Sequence, residues 1–270
     1  MFLSFSFFKK PAIAGFFISA STAWASNTPS LEVGIGMATQ ILADYRGSHR
    51  YSPDAIALPY MFFRGKIFKV DQRGARGEFL KTSRWELNLS LDGSLSVGDE
   101  RNEERRGMPE LDSSIEIGPS FNINLTGENF DEGWSLRLPL RAVFAVSFDN
   151  IESIGFVSNP RLTWRKPNVG RQWRISINTG PLFASRHYHA YFYDVDQKFT
   201  LPDRPAYQST TGYSGWTNRV SFSRRINNWR VAIAVRYDAL DGATFENSPL
   251  VKTEHYGAIT FAVARRIWTR

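Results

Sequence analysis

The residues of this 270-residue chain with the most chemical potential are four histidines, two serines near a pair of them, a mixed-charge segment and a set of singly spaced arginines. His187 and His189 stand in the aromatic run from Arg186 to Asp194. Alternate residues of a strand share a face, so this pair would present two imidazoles to a metal. His49 and His255 supply no third ligand with a spacing of its own, and the chain has no cysteine. No metal and no cofactor are therefore expected. Ser185 and Ser214 lie near the histidines, which raises serine hydrolysis. No G-x-S-x-G elbow is present and no base–orienter arrangement is legible, so no residue is assigned as catalytic. The segment from Gly98 to Asp112 holds Asp99, Glu100, Glu103, Glu104, Glu110 and Asp112 with Arg101, Arg105 and Arg106. It lacks the spacing of a calcium loop, and such mixed charge reads as a solvated surface loop.

The arginines make sense only with the elements that carry them. Trp229, Val231, Ile233, Val235 and Tyr237 alternate with Arg230, Ala232, Ala234 and Arg236. Trp85, Leu87, Leu89 and Leu91 alternate with Glu86, Asn88, Ser90 and Asp92, and Trp173, Ile175 and Ile177 with Arg174, Ser176 and Asn178. Period-two alternation is the signature of strands with one apolar face. Here the opposite face carries arginine and glutamate, and tryptophan often begins or ends the apolar face. That combination predicts a transmembrane β-barrel with lipid outside and a polar lumen. In the segment 134–147, Trp134, Leu136, Leu138, Leu140 and Phe144 would face lipid, with Arg137 and Arg141 inward. A charge on the lipid face at mid-depth costs about 2–4 kcal/mol, so the register is strongly set. Arg137, Arg141, Arg174, Arg219, Arg230, Arg236, Glu86 and Glu116 are the candidate lumen-lining residues. Arg161, Glu32 and Asp92 share the same facing. This set would make either an anion-selective pore or a lumen closed by ion pairing.

The N-terminus sets the compartment. Lys9 and Lys10 precede an apolar stretch from Ala12 to Ala20, then Ala23-Trp24-Ala25 offers a cleavage point. This predicts a secretory signal peptide over 1–25 and a single barrel domain over 26–270. The stretch is too short to span a bilayer as a helix, and no later segment is long and apolar enough. Removing Lys9 and Lys10 lowers the formal charge from +7 to +5. The remaining arginines are scattered singly rather than clustered, so no nucleic-acid partner is expected.

Twelve antiparallel strands are expected, near 31–42, 55–63, 66–72, 77–82, 84–97, 113–125, 134–147, 154–166, 172–186, 213–226, 229–240 and 253–268, with ten as the alternative. Separating 66–72 from 77–82 keeps the number even, as single-chain barrels require. Pro119, Pro139 and Pro181 fall inside these strands and predict bulges. Loop lengths orient the barrel: short turns at Thr82-Ser83, Gly127–Gly133, Pro167–Arg171 and Asn227-Asn228 face the periplasm, and the long connections 98–112, 187–212 and 241–252 face outward. The connection 187–212 carries Tyr188, Tyr191, Phe192, Tyr193 and Tyr207. So many aromatics predict an extracellular lid folded over the mouth, with Tyr191 and Tyr193 packed on barrel residues. The alternative is an aromatic belt at the membrane surface.

Several segments carry a family resemblance: Asp44-Tyr45-Arg46-Gly47-Ser48, Leu58-Pro59-Tyr60, Tyr191-Phe192-Tyr193-Asp194-Val195, Pro205-Ala206-Tyr207 and Gly212-Tyr213-Ser214-Gly215. Ser223-Arg224-Arg225, Arg236-Tyr237-Asp238-Ala239-Leu240 and Asn247-Ser248-Pro249-Leu250-Val251 continue it. In this order and spacing the chain resembles the MipA/OmpV family of MltA-interacting outer-membrane proteins. The departures are Asp194, where the family often has glycine, and the ending Trp268-Thr269-Arg270 in place of a terminal aromatic. The resemblance implies a non-enzymatic scaffold or binding protein in the cell outer membrane. Its expected partners are membrane lipid and lipopolysaccharide, a murein transglycosylase and a penicillin-binding protein. The rival expectation is a small-solute channel with an arginine-lined lumen.

Overall fold

The computed structural model describes residues 30–64, 68–71, 74–94, 102–147, 149–170 and 172–270, so the expected signal peptide lies outside the described residues. The strand segments are β1 (Ser30–Ala43), β2 (Tyr51–Arg64), β3 (Phe68–Asp71), β4 (Gly74–Lys81), β5 (Trp85–Ser94), β6 (Ser113–Asn124) and β7 (Gly133–Val146). They continue as β8 (Ile151–Ser158), β9 (Arg161–Val169), β10 (Trp173–Ala184), β11 (Gly212–Ile226), β12 (Trp229–Ala239) and β13 (His255–Thr269). A short helix α1 (Arg186–Tyr193) follows β10. Every pairing is antiparallel, and β13 pairs with β1 from Glu32↔Thr269 to Leu42↔Ala258, which closes the ring. β8 and β9 share the same two neighbours, β7 and β10, so they fill one position between them. Thirteen segments thus occupy twelve positions of a closed antiparallel barrel.

The split in the strand expected at 154–166 has a chemical cause. Pro160 has no N–H to donate, and it lies beside three other prolines on adjacent strands: Pro119 in β6, Pro139 in β7 and Pro181 in β10. The β10–β11 register shifts between Pro181 and Phe183. The Asn159 side-chain amide bridges the interruption, donating to the Pro181 carbonyl at 2.7 Å and to Thr217 Oγ1 at 3.2 Å. Gly180 permits the close approach, since a Cβ there would strike the Pro160 carbonyl.

Facing follows the alternation. Ile35, Leu140, Ile259 and Ile267 are 64%, 55%, 55% and 67% exposed, far more than a water-soluble fold tolerates over a continuous band. Trp134 packs beside Trp164 on this outer face, and Trp85 beside Phe121, with Trp229 and Trp268 also exposed near the short-turn end. This is the aromatic girdle of a membrane barrel. The opposite residues of β7, from Ser135 through Arg137, Pro139 and Arg141 to Val143, are all buried.

The barrel seam is fastened by charge. Glu32 on β1 accepts from Arg230 of β12 at 2.9 Å and pairs with Arg225 of β11 at 3.4 Å and Arg266 of β13 at 3.8 Å. One carboxylate therefore ties the first strand to the last three. The wall is also uneven: β3 has four residues and β4 eight, between neighbours of fourteen and ten.

Candidate functional site: a charged lumen under a packed cap

The lumen-facing side chains come from alternate positions of nearly every strand. Arg141, 5% exposed, donates through Nε to Ser90 Oγ at 2.9 Å. Its terminal nitrogen reaches Glu116 at 3.1 Å and Asp92 at 3.3 Å. Arg161 and Arg219 stand within electrostatic reach of the same Asp92. Three guanidiniums therefore face two carboxylates, a net positive patch. The Asp92 side chain is 44% exposed although it points into the barrel, so the space it faces is open to water. Glu86 is fully buried and accepts from Asn88 at 2.6 Å and Asn122 at 3.1 Å, with Lys81 at 3.6 Å. Arg137 sits opposite Asn122 and Arg161 in register. Arg174 pairs with Ser223 across the β10–β11 ladder, and Arg219 with Asn178. Arg230 is held by Glu32 and lies 5.1 Å over the Phe62 ring. Arg236 grips Asp238 through two bonds of 2.9 and 2.7 Å.

This charged wall covers only part of the lumen. Between these charges, β1, β12 and β13 also place small residues inward, with Gly36 opposite Ala264 and Ala232 opposite Ala262.

At the long-loop end, four connections interlock: 44–50, 102–112, 185–211 and 240–254. The helix α1 is started by Ser185, whose hydroxyl accepts from the Tyr188 N–H at 3.3 Å and from the Phe156 N–H at 3.0 Å. Such capping satisfies donors that the first turn leaves unpaired. Gly155 of β8, at φ 113°, makes room, because a Cβ there would collide with the Ser185 hydroxyl. α1 packs Tyr188, Tyr191 and Phe192 against Val143, Val157, Leu182 and Ala184, which are inward-facing residues of the barrel. The helix therefore lies across the mouth and within it.

The opposite side of the cap is aromatic. Tyr193 stacks on Phe245 with centroids 3.7 Å apart and planes 5° from parallel, and Tyr45 meets Tyr193 edge-on. The Tyr193 hydroxyl donates to the Arg46 carbonyl at 2.9 Å, and the Tyr45 hydroxyl to the Leu250 carbonyl at 2.7 Å. The Tyr191 hydroxyl accepts from the Asp112 N–H at 2.8 Å, and the Tyr207 hydroxyl donates to the Thr244 carbonyl at 3.2 Å. Arg105 donates to the Phe192 carbonyl at 3.0 Å, and Arg204 to the carbonyls of Glu104, Arg106 and Phe199. These buried guanidiniums act as clamps between loops, using the five-donor fork of arginine. Arg46 joins cap to lumen, donating to Asp238 at 2.7 Å and to the Ser214 hydroxyl and carbonyl at 3.1 and 2.6 Å.

Burial pushes the Tyr188 phenol up to about 12, and that of Tyr193 higher still, so both phenols remain neutral. Burial also holds the His189 imidazole below its ordinary value. His189 is fully buried, and its Nδ1 donates to the Thr210 carbonyl at 2.7 Å. The helix separates the two histidines expected to share a strand face: His187 is exposed and His189 is interior. Residues two apart on a helix do not face each other, so they do not form a pair. Among the described residues no cluster of three histidine, aspartate or glutamate side chains could hold a metal. The hydroxyls of Ser185 and Ser214 are taken up by backbone N–H groups and by Arg46. The mixed-charge segment is not merely solvated from Asn102 onward: Arg105 is 5% exposed, and Asn102, at 2%, donates to Asp44 at 2.7 Å. Residues 98–101 lie outside the described residues.

The clamps Arg46, Arg105, Arg204, Asp238 and Phe245 were not singled out as site residues by charge or spacing. Two of them, Arg46 and Asp238, lay within the family-like segments. Of those segments, the ones at Asp44–Ser48, Tyr191–Val195, Pro205–Tyr207 and Asn247–Val251 meet in this cap.

An apolar outer band, an ionic interior and a mouth crossed by interlocked loops are the attributes of an outer-membrane β-barrel protein. The family model of MltA-interacting protein MipA matches residues 35–267, and the chain belongs to that family. A monoaromatic hydrocarbon channel, CymD, is among the similar solved structures, with 11% sequence identity over 87% of this chain and 88% of that chain and a TM-score of 0.33. No curated protein matches.

Proposed function

We propose that this protein is a non-enzymatic scaffold of the outer membrane, exported by a signal peptide over 1–25. Its capped barrel serves as an anchor, and its short inner turns dock envelope enzymes. The observation that carries this reading is the cap. Four loops lock together through buried aromatic rings and arginine–carbonyl clamps, an arrangement suited to a closed barrel rather than an open pore. The family name points to MltA, and the resemblance in sequence extends the expectation to a penicillin-binding synthase. Membrane lipid and lipopolysaccharide are the surroundings of the barrel.

The test is affinity capture of the tagged protein from detergent-solubilised outer membranes, with and without replacement of the 125–132 turn by a short Asn-Gly turn. The expected result is recovery of a murein transglycosylase that is lost with the turn replacement. Absence of any peptidoglycan enzyme from the intact protein overturns the scaffold reading. A second reading, a small-anion channel, is favoured by one observation: the water-open patch where Arg141, Arg161 and Arg219 outnumber Asp92 and Glu116. Single-channel recording separates the two, since a sealed scaffold gives no steady conductance.

A further inference from the structure

The last strands carry arginines on both faces, and the two faces differ. On the inner face Arg225 and Arg230 share the Glu32 carboxylate, and Arg236 holds Asp238. Arg224 of β11 and Arg265 of β13 stand on the outer face. Arg224 has the parity of the exposed Phe222 and Ile226, and Arg265 that of the exposed Ile259 and Phe261. Among the described residues neither takes part in an ion pair. Residues 1–29 and residue 171, which adjoin β1 and β10 in the chain and lie outside the described residues, include no aspartate or glutamate.

Each of these guanidiniums lies over a tryptophan instead. Arg224 Cζ is 5.9 Å from the centre of the Trp173 ring, and Arg265 Cζ is 5.6 Å from that of Trp229. An arginine stacked in this way keeps N–H donors at its edge for an anion's oxygens. Trp173 falls opposite Arg224, one residue beyond Arg174↔Ser223; Ile226 pairs with Trp229, and Trp229 with Arg265. Tryptophan and arginine therefore alternate across β10, β11, β12 and β13. Two strands, roughly 10 Å, and two residues, about 7 Å, separate Arg224 from Arg265, so they suit phosphates of adjoining head groups. Ile226 ends β11, which leaves Arg224 about 7 Å from the strand end. At that level a lipid-facing charge costs only about 0–1 kcal/mol.

At the long-loop end the same four strands turn Phe183, Trp216 and Tyr237 outward, with His255 stacked beside Tyr237. The outward arginines of these strands thus mark one leaflet, the one at the short turns. A zwitterionic head group brings a cation of its own to this pair of unneutralised guanidiniums, and an anionic head group does not. We propose that the outer face of β10–β13 at the short-turn end is a binding site for anionic phospholipid. Head-group phosphates sit on Arg224 and Arg265, and the glycerol region packs on Trp173 and Trp229. This goes beyond the scaffold reading and does not depend on it.

The chain has no cysteine, so Val231→Cys can carry an NBD label beside Arg224, its register partner. Leu136→Cys on β7 carries the control label, two residues from Trp134 as Val231 is two residues from Trp229. The labelled protein is reconstituted in phosphatidylcholine vesicles with a minor fraction of doxyl-phosphatidylglycerol or, separately, doxyl-phosphatidylcholine. Equal quenching of both labels by the phosphatidylcholine verifies insertion. At Val231→Cys the phosphatidylglycerol is expected to quench at least threefold more than the phosphatidylcholine, and at Leu136→Cys equally. Adding Arg224→Gln with Arg265→Gln is expected to bring the Val231→Cys ratio down to the control's. Unlabelled phosphatidylglycerol is expected to relieve the excess, and lipopolysaccharide is not. No excess at Val231→Cys overturns the site. An excess of the same size at both labels means general attraction to a basic protein and overturns it equally. An excess that survives the paired substitution overturns the assignment to these arginines. Relief by lipopolysaccharide gives the face to a different lipid and overturns the proposed occupant. The scaffold reading is decided by enzyme capture, so either can fail alone.

Discussion

Phe245→Ala is the sharpest single probe of the cap. Phe245 is fully buried, stacks on Tyr193 and touches the His189 ring at 5.0 Å. Truncating a buried phenylalanine costs about 3–5 kcal/mol through lost transfer energy and the cavity left behind. The stacked pair adds roughly 0.5–1.5 kcal/mol beyond area. Phe245 contacts cap residues rather than the strand ladders, so the loss falls on cap opening and leaves the barrel intact. At about 1.4 kcal/mol per tenfold, even the low estimate raises the open population roughly a hundredfold. The assay is trypsin cleavage after the clamp Arg105, 5% exposed, on intact cells or outward-facing vesicles. Cleavage is expected to be slow in the parent protein and at least tenfold faster in the variant, with unchanged heat-modifiable migration of the barrel. Equal cleavage rates would refute the view that the aromatic stack holds the mouth shut. Loss of the folded gel band would show that cap and barrel are one cooperative unit.

Three further outcomes are expected. Glu32→Ala removes the carboxylate shared by Arg225, Arg230 and Arg266 and should cost about 3 kcal/mol of barrel stability, read as a lower urea midpoint in detergent. Leu140→Arg puts a charge on the lipid face and should cost about 2–4 kcal/mol in a vesicle-folding titration, whereas Leu140→Met should cost less than 1.5. His189 resists protonation in the folded cap but not when the cap opens, so cap stability is fully present above the ordinary histidine value of 6.5 and falls as pH drops below it toward the depressed native value. Tryptic cleavage after Arg105, normalised at each pH to cleavage of an unfolded control substrate, should therefore accelerate between pH 7 and 5, and His189→Gln should flatten that profile.

How much was legible beforehand differs by element. The alternation in 134–147 or 229–240 reads directly because side-chain direction in a strand depends only on position parity. The split at Asn159-Pro160 did not read, because Pro160 stops a ladder only where its N–H side faces a neighbour. The partners of the charged residues come from strands far apart in the chain, as Glu32 with Arg230 shows, and no local pattern gives them. His187 and His189 were expected at the start of the long connection 187–212, sharing a face only if that start were extended. The Ser185 cap and packing in the barrel mouth make this stretch a short helix, an outcome of tertiary context rather than local pattern.

By itself, the sequence determined the antiparallel β-barrel class, since this follows from local period-two alternation and from the cost of burying charge in lipid. Its family-like segments also marked the residues of the cap, though not what they do there. Only the tertiary structure decided that Asp44–Ser48, Asn102–Asp112, Tyr191–Tyr207 and Leu240–Val251 form one roof. Contacts such as Tyr45 to Leu250 and Arg46 to Asp238 join residues about two hundred positions apart. Such meetings are set by ring closure, which brings the first strand beside the last, and no local pattern in the chain encodes them.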